Sequence, residues 1–236
     1  VSERPRLATN DRTDMSVDEA TAILQQAATL DLPHRSRYVA ALLQGMRQAE
    51  ALGLTWDEVD LGVGTATVSW QLKALPYNVR YDRASGFRVP DGYEHRQMDG
   101  RLHLVRPKSK KGWRVQPLVP WMTTALEVWR GVAPLSPHGL VWPNLDGRPT
   151  LAGQDDEEWY ALQGSAGVGH PEGRCYTIHE ARHTTATLLM ELGVDPHVIT
   201  QILGHSSIVT SRGYQHASQR HTRPALEKVA ALLQLG

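Results

Sequence analysis

The chain has 236 residues, 41% of them hydrophobic and 21% charged, which is enough to bury a sizeable core and is not the composition of a disordered segment. Lys+Arg and Asp+Glu both number 25, so the formal net charge is zero and bulk charge gives no argument for a nucleic-acid partner. The single cysteine, Cys175, excludes an internal disulfide and fits a reducing, cytoplasmic setting; no apolar run approaches the roughly 20 residues that would span a bilayer.

The start, V-S-E-R-P-R, lacks the apolar core of a signal peptide and an initiator Met, and residues 1–14 read as a polar interdomain linker. Ser16 and Glu19 form a capping box that predicts a helix to about Leu30. Tyr38, Leu42, Leu43 and Met46 recur at helical spacing and predict a second helix over 35–50. T-A-T-V-S-W at 65–70 reads as a strand because Thr and Val are β-branched. L-H-L-V at 102–105 and R-V-Q-P-L at 114–118 read as two more, joined in a hairpin by K-S-K-K-G-W, while 71–101 is long enough to be an extended hairpin of its own. Beyond 119 the pattern is mainly helical, over 120–131, 153–163, 179–192, 196–203, 207–214 and 218–234. Asp195 caps the fourth of these with Pro196 at its first position, and Gly193 and Gly204 are placed to end helices. The expectation is an α+β fold, mainly α-helical with a small antiparallel β-sheet.

Charge is unevenly spread. Residues 73–114 carry eleven Lys/Arg against four acids, among them Lys108, Lys110, Lys111 and Arg114, and the balance is made up elsewhere, as in D-D-E-E at 155–158. Such a segment binds phosphate readily even in a neutral protein.

Residues 179–183, H-E-A-R-H, satisfy H-E-x-x-H, a helical zinc signature. At about 100° per residue, His179, Arg182 and His183 share one arc, while Ala181, Thr185, Leu188, Leu189 and Leu192 form the apolar stripe. Zinc requires a third protein ligand, and the six residues after His183, T-T-A-T-L-L, supply none. A guanidinium one turn from the first histidine opposes a dication and suits an anion. A zinc hydrolase using His179, Glu180 and His183 is therefore the weaker reading, and no metal is expected.

An anion site needs further cations. Arg47 lies in G-M-R-Q-A-E-A-L-G-L-T-W at the end of the second predicted helix, and I-L-G-H-S-S-I-V-T-S-R-G-Y-Q-H carries His205 and, nine residues later, Tyr214. These two stretches and H-E-A-R-H-T, in this order, resemble the three boxes of the tyrosine recombinases, the phage-integrase family. The likeness runs from about 35 to 225, through V-W-P-N-L-D-G-R-P and the P-K-S-K-K-G-W-R-V-Q-P-L hairpin.

The resemblance implies the tyrosine-recombinase catalytic-domain fold over 15–236, with an upstream DNA-binding domain missing from the fragment. It implies site-specific DNA strand exchange through a covalent 3′-phosphotyrosine. Arg47 and Arg182 match two positions that hold the phosphate oxygens, His179 a base or proton relay, His205 a hydrogen bond to the scissile phosphate, and Tyr214 the nucleophile. Lys108 matches the general acid, with Lys110 and Lys111 in the same hairpin, and these two with Arg114 are expected to contact DNA. Glu50, one turn after Arg47, is expected to orient that arginine, His183 to pack behind the site, and Glu180 to be solvent-facing or structural. Partners would be double-stranded DNA attachment sites, a homotetramer on paired sites, and accessory DNA-bending or directionality proteins; no cofactor is needed. The same chemistry fits a type IB topoisomerase, and a non-catalytic DNA-binding relative is a further alternative.

Overall fold

The computed structural model describes residues 14–30, 32–89, 91–106, 113–204 and 215–233; for 32–35 and 215–220 it describes the backbone alone. Lys108, Lys110, Lys111, His205, Tyr214 and the predicted helix over 207–214 lie outside the described residues.

The capping signals act where they are read. Ser16 accepts from the Glu19 amide and Glu19 returns to the Ser16 amide, opening α1 (Val17–Ala27), whose Ala20, Ile23, Leu24 and Ala27 are buried. Each such cap is worth about 1 kcal/mol. α2 (Leu32–Leu42) stops well short of the predicted end at residue 50. The chain turns at Gly45, φ +56, and restarts as the short α3 (Gln48–Leu52), with Arg47 as its N-cap. Arg47 is thus a helix-start residue, not a helix-end one. The cause is tertiary: a Cβ at position 45 would lie 2.7 Å from Leu203 Cδ2, so glycine lets the turn sit against a later helix.

The predicted single sheet is two. β1 (Val59–Asp60), β2 (Thr65–Val68) and β6 (Arg114–Pro117) form one antiparallel sheet, ordered β1-β2-β6, with Thr65 opposite Pro117 and Val68 opposite Arg114. β3 (Gln71–Ala74), β4 (His95–Asp99) and β5 (Leu102–Val105) form the other, ordered β3-β5-β4. The predicted strand over 65–70 therefore breaks after Val68. β5 pairs with β3 and β4, whereas β6 pairs with β2, so the two strands flanking the lysines are not hairpin partners. Within 71–101 the outer strands meet β5 rather than each other, and the loop between them packs on itself, Tyr77 stacking on Phe87 at 5.2 Å.

The remaining helices are α4 (Pro120–Val132), α5 (Ala152–Ala166), α6 (Ile178–Glu191), α7 (Pro196–Leu203) and α8 (Gln215–Leu232). Asp195 caps α7 by accepting from the His197 amide, and Gly204, φ +64, ends it in the left-handed region. One apolar core joins α1, α2, α4 and α6 to the tail: Leu226, Val229, Ala230 and Leu233 of the last segment are all buried in it. The apolar stripe of the helix expected over 218–234 is thus covered by the chain's own core. A smaller cluster of Leu52, Trp70, Leu72 and Leu104 anchors the second sheet to α3. Among the described residues no helix is long and apolar enough to cross a membrane.

Candidate active site

The site forms where the α2–α3 turn, the start of β6, α6 and the end of α7 meet. On α6, Thr177 and Glu180 make a reciprocal capping box, which fixes the helix start two residues before His179. Ala181, Thr185, Leu188 and Leu189 are buried as the helical period predicts. Arg182 is buried too, at 2% exposure, and so does not lie on an open flank. Its two terminal nitrogens donate to the carbonyls of Gly45 and Leu203, bridging the turn after α2 to the last residue of α7. A guanidinium at the end of α7 also suits the negative end of that helix.

Glu50 organises the other arginines. Its Oε1 accepts from Arg47 Nη1 at 2.7 Å, and its Oε2 accepts from the Arg47 amide at 3.0 Å and from Arg114 Nη2 at 2.9 Å. Burial alone would raise the Glu50 carboxyl, but Arg114 first and Arg47 next hold it down at about 2, so it is ionised. Arg47, with a side chain 36% exposed, is the accessible member. Arg182 is pushed down to about 9, chiefly by burial and then by the fields of Arg47 and Arg114, with Glu50 opposing. Among the described residues, three guanidiniums against one carboxylate leave an excess of two positive charges in a partly desolvated place. An anion with several oxygens, such as a phosphodiester, relieves that repulsion and accepts donors in fixed geometry.

The burial pattern along β6 turns Arg114 and Gln116 inward and Val115 outward. Arg114, expected to contact DNA, is a buried arginine inside the cluster. Nothing in R-V-Q-P announces this inversion; only the pairing of β6 with β2 does.

His179 is exposed and His183 half-buried, and their rings meet edge to face at 4.6 Å. Glu180 is buried and held at about 2, with Arg174 the main cause: it accepts from both Arg174 terminal nitrogens, from the Thr177 amide and from the Thr177 hydroxyl. It is structural rather than solvent-facing. The H-E-x-x-H match thus contains a helix cap and an ion pair at the position where a metalloprotease needs its base. Among the described residues no group of three His, Cys, Asp or Glu side chains is placed to hold a metal.

The sequence reading also missed the support of the lysine segment. Arg106, just after β5, lies 3.9 Å from the Trp70 ring centroid and 4.6 Å from that of Trp113, just before β6, and pairs with Glu58 at 3.1 Å. This stack pins together the two ends of the segment that contains Lys108. The signal was the W-(x)n-R pattern, and it has no regular spacing.

The phage integrase family model matches residues 86–221, more than half of the chain. The chain belongs to the phage integrase family. It is 26% identical over 256 residues to an integrase of Saccharopolyspora erythraea, covering 92% of this chain and 56% of that protein. Over 77 residues it is 38% identical to the tyrosine recombinase XerA of Thermococcus kodakarensis, covering 33% of this chain and 26% of that one. Among solved structures, the XerA recombinase matches with a TM-score of 0.61 at 18% identity, covering 97% of this chain and 66% of the other. The Tn1549 transposon integrase in complex with transposon right end DNA matches with a TM-score of 0.65 at 19% identity, covering 89% and 66%. The fold is that of tyrosine-recombinase catalytic domains. The chain spans just over half the length of the Saccharopolyspora integrase.

Proposed function

We propose that this protein performs site-specific DNA strand exchange, cutting and rejoining attachment sites through a covalent 3′-phosphotyrosine. The observation that carries the reading is the arginine cluster: Arg47 held by Glu50 beside Arg182, with the buried Arg114 behind them, makes a cationic site for a phosphodiester. Membership of the phage integrase family supports it. In the reaction the Tyr214 phenolic oxygen attacks the scissile phosphorus, the bond to the 5′-oxygen breaks, and a 3′-phosphotyrosine forms. The phenol, neutral at pH 7, gives its proton to His179, and Lys108 protonates the departing 5′-oxygen. Arg47, Arg182 and His205 stabilise the charge that builds on the non-bridging oxygens. Rejoining runs the same steps with a different 5′-hydroxyl, so the bond energy is kept in the phosphotyrosine and no cofactor is called on.

The partners are double-stranded attachment sites, with four copies of the protein on a pair of them and accessory bending or directionality proteins, in the cytoplasm. Lys110 and Lys111 contact the DNA backbone. The test is incubation of the full chain with nicked candidate attachment-site duplexes, which trap a covalent adduct when the short 5′ fragment diffuses away. An adduct lost in Tyr214→Phe supports the reading. Relaxation of supercoiled DNA without exchange between two sites would favour the topoisomerase alternative, and retained binding without any adduct a non-catalytic relative.

A further inference from the structure

We propose that Arg114 is a positioning residue, which couples the phosphate clamp to the end of α7 through Glu50 and Gly204 and does not itself touch DNA. The inference rests on the strand-exchange reading above.

Three observations carry it. First, Arg114 Nη2 shares the Glu50 oxygen that also accepts the Arg47 amide, while the other oxygen holds the Arg47 guanidinium. Moving Arg114 therefore moves the carboxylate that orients Arg47. Second, the Arg114 guanidinium lies against Gly204: a Cβ there would stand 2.8 Å from Nη1, 3.1 Å from Cδ and 3.3 Å from Cζ. Gly204 is thus favoured by its φ of +64, and a side chain there would displace the Arg114 guanidinium; the next residue in the chain is His205. Third, Arg114 is buried, and among the described residues its Nε and Nη1 have no hydrogen-bond partner. Two buried donors left unsatisfied cost free energy, so the stability of the Glu50 salt bridge alone does not account for Arg114 in this place.

The carboxylate gives this arrangement a signature. Glu50 is faced by Arg47 from its own helix start, by Arg114 from β6 and by Arg182 from α6. Without Arg114, burial raises the Glu50 carboxyl, and protonation then frees Arg47 from its anchor. Cleavage by such a variant acquires an acid limb, rising with pH as Glu50 ionises, at a pH where the wild-type protein shows none.

The experiment compares the full wild-type chain with Arg114→Gln and Gly204→Ala on a nicked attachment-site duplex; Arg114→Met, which also removes the charge, substitutes for Arg114→Gln should that variant not fold. Three quantities are read: the single-turnover cleavage rate at saturating protein, the salt dependence of DNA binding, and the pH profile of cleavage. We expect cleavage to fall about 100-fold in both variants, an unchanged salt slope, and a new acid limb in Arg114→Gln. A salt slope lower by about 1 with normal cleavage at saturation identifies Arg114 as a phosphate contact and overturns the proposal. Slower cleavage without the acid limb marks a fold effect and also overturns it. Wild-type adduct formation with unchanged variants defeats this inference alone, whereas absence of any wild-type adduct defeats the strand-exchange reading on which it rests.

Discussion

Replacing Glu50 by Gln keeps the shape of the side chain and removes the charge that three arginines share. The loss can be worked in two ways. The Glu50 carboxyl is lowered from 4.5 to about 2, with burial opposing and Arg114 then Arg47 driving the shift. At 1.36 kcal/mol per unit, this amounts to about 3 kcal/mol of stability at neutral pH. Alternatively, a Gln whose oxygen takes the Oε2 position turns its amide toward Arg47 Nη1, so a charged hydrogen bond worth about 1.5–3 kcal/mol becomes a donor facing a donor. The first route gives about 3 kcal/mol and the second at most about the same, so about 3 kcal/mol is the upper figure. A chain of 236 residues has an unfolding entropy of about 0.5 kcal/mol per kelvin, so the midpoint should fall by about 3–6 °C at pH 7. The sign with pH is fixed: a carboxyl depressed in the folded state stabilises above its unfolded value of 4.5, and the contribution is lost as pH falls toward about 2. Differential scanning calorimetry of both proteins from pH 7 down to 3 is the assay. The gap between wild type and Glu50→Gln should narrow as the pH drops below 4.5. Equal melting at pH 7, or a gap that does not change with pH, would refute the claim that Glu50 is an ionised hub.

Other outcomes are expected. On the strand-exchange reading, which assigns both arginines to the scissile phosphate, Arg47→Ala or Arg182→Ala should each slow DNA cleavage about 100- to 1,000-fold in single-turnover assays; Arg182→Ala should also lower the melting point, because its guanidinium joins the Gly45 and Leu203 carbonyls. Deleting residues 222–236 removes Leu226, Val229, Ala230 and Leu233 from the core. At about 1.5–3 kcal/mol for each of the larger side chains the truncated chain should lose its cooperative melt, which circular dichroism checks. Elemental analysis should find substoichiometric zinc, and EDTA should leave cleavage intact, because Glu180 is occupied by Arg174 and Thr177.

Signals that act within one turn of helix were legible. Ser16 with Glu19, Asp195 with Pro196, Gly204 and the stripe of the last helix each work as the local rules require. Signals that depend on a distant partner were not. Nothing near Gly45 says that α2 must end there; the reason is Leu203, which crowds position 45, and Arg182, which takes its carbonyl. The same holds for β6, since its pairing with β2 decides that Arg114 faces inward. Of the site, the motifs identified Arg47, Glu50 and Arg182 as neighbours. That Arg114 completes the group, and that Arg106 and Trp113 close the base of the lysine segment, emerged only from the packing.

The most direct measurement of the central claim is the location of the covalent bond. A nicked attachment-site duplex is reacted with the full chain, the adduct is digested with protease and nuclease, and the modified peptide is sequenced by mass spectrometry. The account predicts a nucleotide remnant joined through its 3′-phosphate to Tyr214, in the peptide that follows His205, and no adduct from Tyr214→Phe. A remnant on any other side chain, or an adduct that survives Tyr214→Phe, would contradict it.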